Sequence, residues 1–180
     1  MMNFCNQCGA PVALKVPVGD TLPRHVCGTC ETIHYVNPKI VAGCIPEWEG
    51  RILLCRRAIG PRVGYWTIPA GFMELGESTE EAASRETLEE ARARVSIDSL
   101  YAVFTLPHVS QVYLVYRGRL RAEEFGCGNE SLDVRLFEER EIPWDELAFP
   151  VIREILRRYA ADRRAGRFSV HSGTIAPAGS

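Results

Sequence analysis

Two Cys-x-x-Cys pairs, Cys5/Cys8 and Cys27/Cys30, stand eighteen residues apart near the start of the chain. Four thiolates at that spacing suit a tetrahedral zinc ion, each pair supplying one tight turn. They commit residues 1–36 to a ribbon folded around a metal rather than around an apolar core. Gly9 and Gly28 lie in the knuckles, where a thiolate-binding turn tolerates little bulk. A redox motif needs one such pair in a βαβ context and does not account for two. The expected role is a metal staple for a segment too small to fold unaided, with nucleic-acid or partner binding as the functional alternative. The chain has seven cysteines, and an odd number argues against a disulfide framework. Cys44 and Cys55 read as buried inert thiols, while Cys127 shows no pairing pattern.

Asn37-Pro38 marks the next boundary, and residues 37–165 read as one larger domain. Strands are expected at Ile40–Ile45 and Arg51–Arg56 around a Glu49-Gly50 turn, then at Trp66–Ile68. Ser78, with Glu81 three residues on, forms a capping box that opens a helix running to about Ala91. Further strands are expected at Val95–Ile97, Leu100–Leu106, Gln111–Leu120 and Val134–Phe137. Ile152, Ile155, Leu156 and Tyr159 recur at helical spacing inside a region from Pro143 to about Arg164. Residues 166–180, rich in Ser, Gly and Ala, read as a C-terminal arm or tail.

Net charge is −2 with a pI near 6.1, so the basic surplus of a dedicated nucleic-acid binder is missing. No apolar run is long enough to span a bilayer. The opening Met-Met-Asn-Phe-Cys lacks the basic and apolar regions of a signal peptide, and the expectation is a cytoplasmic protein.

The chemistry concentrates in residues 71–92. Glu86, Glu89 and Glu90 sit at i, i+3 and i+4, so their carboxylates share one helix face. Clustered carboxylates repel unless a cation neutralises them, and hard oxygen ligands suit Mg2+ or Mn2+. Gly71 lets the preceding loop pass close to the helix, and Glu77 can reach back to Arg85 as an ion pair. On the three glutamates alone, a solvated acidic face and a metal site both remain open.

The full spacing Gly71-x5-Glu77-x7-Arg85-Glu86-x-x-Glu89-Glu90 resembles the signature of the Nudix hydrolases, matching it at every charged position. Thr87 stands where that family usually has an aliphatic residue, and Arg92 where it usually has the glycine that ends the helix. Tyr65–Phe72, the four-cysteine ribbon, Leu136-Phe137, Glu141–Trp144 and His171–Ile175 resemble a zinc-ribbon subgroup that includes plant FAD pyrophosphatases with some ADP-ribose activity.

The resemblance implies an α+β fold: an α/β/α sandwich with a mixed sheet, preceded by the zinc ribbon. It implies hydrolysis of the diphosphate of FAD or ADP-ribose, giving AMP and a phosphorylated second product. NADH is the alternative substrate. An RNA-binding or RNA 5′-end module using the ribbon is the alternative of another class, and nucleic acid is not the expected partner. Glu86, Glu89 and Glu90 are the expected ligands of catalytic Mg2+ or Mn2+, with Glu77 and Arg85 shaping the site. Cys5, Cys8, Cys27 and Cys30 are the expected ligands of structural Zn2+. Glu130 and Asp133 are candidates for the general base, beside the helix glutamates themselves.

Arg56 and Arg57 end a strand near the site and are candidate phosphate contacts, against one exposed arginine and one internal ion pair. Gly71 and Phe72 are expected to bind substrate; Tyr65, Phe104 and Tyr113 are further aromatic candidates for stacking, each also a plausible core residue. His108 falls on a loop near the ligand side, where a plain surface histidine is the simpler reading. By analogy, a homodimer is expected, with the tail able to reach a neighbouring subunit.

Overall fold

A computed structural model of the protein describes residues 2–177. The tail positions 178–180 lie outside the described residues. The chain divides into two compact units, Met1–Asn37 and Pro38–Ser180.

The first unit is a three-stranded antiparallel sheet in the order β1 (Val12–Lys15), β2 (Arg24–Cys27), β3 (Ile33–His34). Among its described residues only Cys5, Cys27 and His34 are buried. Three side chains, two of them thiols, do not make an apolar core, so the stabilising free energy has to come from elsewhere.

The second unit holds β4 (Lys39–Trp48), β5 (Arg51–Arg57), β6 (Trp66–Thr67), β7 (Ala70–Phe72), α1 (Thr79–Ala91), β8 (Val95–Leu106), β9 (Gln111–Leu120), β10 (Ser131–Phe137), α2 (Pro150–Ala165) and β11 (His171–Thr174). The main sheet runs β10-β5-β4-β9-β8-β11, with β6 on β5 and β7 on β4. β4 pairs parallel to β9 and β8 parallel to β11; the other pairs are antiparallel.

Strand alternation explains the layering. Ala42 and Cys44 of β4 pack with Ala82 and Ala83 of α1, while Val41 and Ile45 pack with Ile152, Ile155 and Leu156 of α2. On β5, Leu53 and Cys55 meet Ala91 of α1, and Ile52 and Leu54 join the α2 side. A strand covered on both faces reads as a continuous apolar run, which is what Ile40–Ile45 and Ile52–Cys55 are. The fold is therefore a mixed sheet between two helices.

Several boundaries differ from the sequence expectation for physical reasons. Val95–Leu106 is one strand, because two register shifts against β9 absorb the polar Asp98 and Tyr101 without ending it. Asp98 is held by Arg119 at 3.1 Å. The second long helix begins at Pro150 rather than Pro143; the stretch before it forms short 3-10 turns at Glu139–Glu141 and Trp144–Glu146. Residues 171–174, grouped with the arm by composition, are an edge strand on β8 of the same chain.

α1 starts as its capping box dictates: the Ser78 hydroxyl accepts from the Glu81 N–H at 3.2 Å, and the Glu81 carboxylate accepts from the Ser78 N–H at 2.7 Å. Thr87 is fully buried in the place of an aliphatic residue, its hydroxyl donating to the Ala83 carbonyl at 2.7 Å. Arg92 itself adopts the left-handed conformation, φ 50° and ψ 24°, and its N–H donates to the Leu88 carbonyl. The helix thus ends where a glycine would end it, at a steric cost that glycine lacks. Arg92→Gly is expected to stabilise the second unit by about 0.5–1 kcal/mol, read from urea denaturation.

Candidate active site

Two of the three helix glutamates are buried. Glu86 is 9% and Glu90 7% exposed, whereas the Glu89 side chain is more than half exposed. Two of the three acids on this face of α1 are thus turned into the protein, and the third, Glu89, reaches solvent. Burial, and after it the Glu86 charge, pushes the Glu90 carboxyl up to about 8; burial likewise raises Glu86.

Arg85 organises this group. Its Nε and one terminal nitrogen grip Glu77 at 3.0 and 2.8 Å, a bidentate pair. The other terminal nitrogen donates to Glu86 at 2.7 Å and Glu89 at 3.0 Å. A further bond goes to the Phe72 carbonyl at 3.1 Å, which ties the β7 loop to the helix. Glu77 is held to about 2 by Arg85 and by the Glu74 N–H. Gly71 has a specific reason to be glycine, since a Cβ there would run into the Glu86 carboxylate. Gly71→Ala is expected to displace Glu86 and lower turnover by about tenfold or more, with the melting temperature as the control for folding.

The C-terminal end of α1 is closed by the loop before β10. The Gly126 N–H donates to the Ala91 carbonyl at 2.8 Å and the Gly128 N–H to the Glu90 carbonyl at 3.0 Å. A Cβ on Gly128 would collide with the Glu89 backbone. This close approach brings Asn129 and Glu130 to the same cleft as the helix glutamates. The cleft has a volume of about 1070 Å³. Its acidic floor is Glu86, Glu89 and Glu90, and its apolar side includes Val41, Leu106, Tyr113, Phe149 and Ile175.

The expected site residues are distributed unevenly around it. Gly71, Phe72, Arg85, Glu130 and Arg57 line the cleft with the three glutamates; Glu77 acts on it through Arg85. Arg57 donates to the Pro61 carbonyl at 2.9 Å and lies 5.2 Å from the centre of the Phe149 ring. Arg56 does not line the cleft and donates instead to the Gly64 carbonyl. Asp133 also lies off the cleft, paired with Arg135. Phe72 is half exposed, with the Lys39 ammonium 4.7 Å from its ring centre. Tyr113 lines the cleft from the core, and His108 lines it as well; Phe104 is core, and Tyr65 lies outside under Arg62. Sequence reading did not place Asn129, Phe149, Ile175 or Ala176 at the site; of these, Ile175 lies in the His171–Ile175 stretch that resembles the zinc-ribbon subgroup.

The cysteines fit a zinc ion. Their four sulfurs all lie within 4.8 Å of one another. Cys5 and Cys30 sulfurs are 3.6 Å apart and Cys8 and Cys27 sulfurs 3.5 Å apart. Zn–S bonds of about 2.3 Å in a tetrahedron place sulfurs about 3.8 Å apart. Backbone N–H groups of Cys30 and Thr29 lower the Cys27 thiol, and Thr32 lowers Cys30 to about 6. Cys8, against the Ala10 N–H, is instead raised to about 12 by its bonds to Cys30 and Cys27. The thiols thus hold protons between them that a cation would displace.

The all-carboxylate donor set of Glu86, Glu89 and Glu90, with Glu86 seated against the Gly71 cradle, fits a hard cation that keeps part of its water.

A family model described as "NUDIX domain" matches residues 37–159, and one described as "Nudix N-terminal", a zinc ribbon, matches residues 3–36. A crystal structure of a NUDIX hydrolase from Nitrosomonas europaea shares 55% identity, covers 97% of this chain and 100% of its own, and superposes with a TM-score of 0.92. An ADP-ribose pyrophosphatase from Methanocaldococcus jannaschii is 30% identical over 68% of this chain and 76% of its own length. An NAD-capped RNA hydrolase NudC from Chromobacterium violaceum is 30% identical over 89% of this chain. The chain spans 58% of that protein's length.

Proposed function

The chain belongs to the Nudix hydrolase family, and from that premise we propose that it hydrolyses the diphosphate of ADP-ribose to AMP and ribose 5-phosphate. The observation that carries the reading is the burial of Glu86 and Glu90 beside a cleft that also has an apolar lining. Acids held dry beside one another call for a cation, and a diphosphate joined to a flat base matches a lining that is acidic in one part and apolar in another.

In this proposal Glu86, Glu89 and Glu90 hold Mg2+ or Mn2+, and Arg85 fixes Glu86 and Glu89 in place with Glu77 as its anchor. A cation held there would neutralise diphosphate charge and make an attacking water more acidic. Arg57, on the cleft wall, contacts a phosphate oxygen. The Glu130 carboxylate takes the proton from the water; Asp133, off the cleft, is the poorer candidate. Water oxygen joins one phosphorus as the bridging P–O bond breaks, so the two products together carry one added water. Cys5, Cys8, Cys27 and Cys30 hold structural Zn2+.

The M. jannaschii relative supports ADP-ribose. NADH or an NAD-capped end is the second reading, favoured by a NudC match that covers 89% of this chain. FAD stays the third, on the motif likeness alone. A product-resolved assay of ADP-ribose, NADH, FAD and NAD-capped RNA with Mg2+ orders them. The proposal expects the highest kcat/KM with ADP-ribose. A preference of tenfold or more for another substrate would replace it.

A further inference from the structure

We propose that the C-terminal strand β11 is a working wall of the substrate cleft, and that His171 is the positioning residue that clasps it there. The proposal rests on the cleft being the ADP-ribose site, and it assigns the adenine ring to the apolar end that the strand helps to build.

β11 is an edge strand with only β8 beside it. It pairs in parallel, His171 with Ala102 through Thr174 with Thr105. Past the last pair, the Ile175 N–H donates to the Thr105 carbonyl at 2.9 Å, and the Thr105 and Thr174 hydroxyls are 3.0 Å apart. These bonds deliver Ile175 and Ala176 to the cleft, where they line it with Leu106 and Tyr113. Ile175 also packs on the main apolar core, so its side chain has a fixed place.

Ser172, Gly173 and Thr174 are exposed and add little packing. Beside the Thr174 hydroxyl and the packing of Ile175, the remaining side-chain anchorage of the strand is His171. Its Nε2 lies 2.7 Å from an Asp162 oxygen on α2, and its Nδ1 lies 3.3 Å from a terminal nitrogen of Arg158. Arginine only donates, so Nδ1 accepts and Nε2 carries the proton given to Asp162. Tyr101 donates to the same Asp162 oxygen at 3.1 Å and packs edge-on against the imidazole. Arg158 is itself held by Glu154 at 2.7 Å. Every partner of the clasp belongs to β8 or α2, and none of these residues lines the cleft. A clasp so placed acts on the site only through the strand it holds.

The test uses the full-length protein and the variants Ile175→Ala, His171→Ala and His171→Gln. Steady-state hydrolysis of ADP-ribose is measured with Mg2+, and AMP binding is measured by calorimetry in EDTA. Ile175→Ala and His171→Ala are expected to raise KM and the AMP Kd by about five- to twentyfold with kcat within about twofold. Glutamine keeps an N–H for Asp162, so His171→Gln is expected to restore most of the affinity. Unchanged KM and Kd in both alanine variants would overturn the proposal. So would a loss of kcat and melting temperature in His171→Ala with Ile175→Ala unaffected, since that marks a merely structural role. If the unaltered protein binds AMP but leaves ADP-ribose intact, the substrate reading fails, and the AMP Kd ratios still decide the wall.

Discussion

Glu90→Gln is expected to lower kcat on the order of 100-fold or more while leaving the metal-free protein no less stable than before. The two effects have one cause. Glu90 is 7% exposed, and burial followed by the neighbouring Glu86 lifts its carboxyl to about 8. The folded protein therefore holds this proton more tightly than the unfolded chain, whose ordinary value is 4.5. Stability of the metal-free protein should be full below about pH 4.5 with respect to this group and decline as pH rises through about 8. Glutamine has the same shape without the charge, so the variant should lose that decline along with the turnover. Thermal melting in EDTA between pH 5 and pH 9 measures the first, and initial rates with Mg2+ measure the second. A variant that melts far below the parent at pH 8 would show that Glu90 holds the core together instead.

Cys27→Ser carries the other large expected effect, and it falls on the opposite unit. Residues 2–37 bury only Cys5, Cys27 and His34, so the four thiolates stand in for a core. Structural zinc contributes about 10–16 kcal/mol in small zinc modules, far more than the packing of such a ribbon can replace. The variant is expected to lose its zinc, read by elemental analysis, and amide protection throughout β1 to β3, read by hydrogen exchange. The apolar clusters of the second unit contain no residue before Val41, so that unit should keep its own unfolding transition. Retained zinc and protection would mean that the cysteines are not the ligands.

What could be read from the sequence was local. The capping box at Ser78 and Glu81 fixes the start of α1, and i, i+3, i+4 spacing places three carboxylates together, because both depend on neighbours within one turn. The burial of Glu86 and Glu90 was not legible, since it depends on which face of α1 the sheet covers. Parity on β5 carried a usable signal. Arg57 continues the series Leu53, Cys55 that meets α1, while Arg56 continues Ile52, Leu54. β11 was hidden for a different reason. A Ser- and Gly-containing stretch has weak strand character, and its pairing partner lies some seventy residues away (Gly173 beside Phe104). Thus the acidic part of the cleft lining was visible from residues 71–92, and of its apolar part only Phe72 and Tyr113 were.

The acids of α1 are proposed to make a divalent-metal site for diphosphate hydrolysis. The most direct test is one reaction, chelator-treated protein with ADP-ribose, followed by phosphorus NMR before and after Mg2+ is added. No change is expected before Mg2+, then conversion to two phosphomonoesters, with Glu90→Gln slower by about 100-fold or more. Conversion at the same rate in EDTA, or undiminished conversion by the variant, would contradict that role.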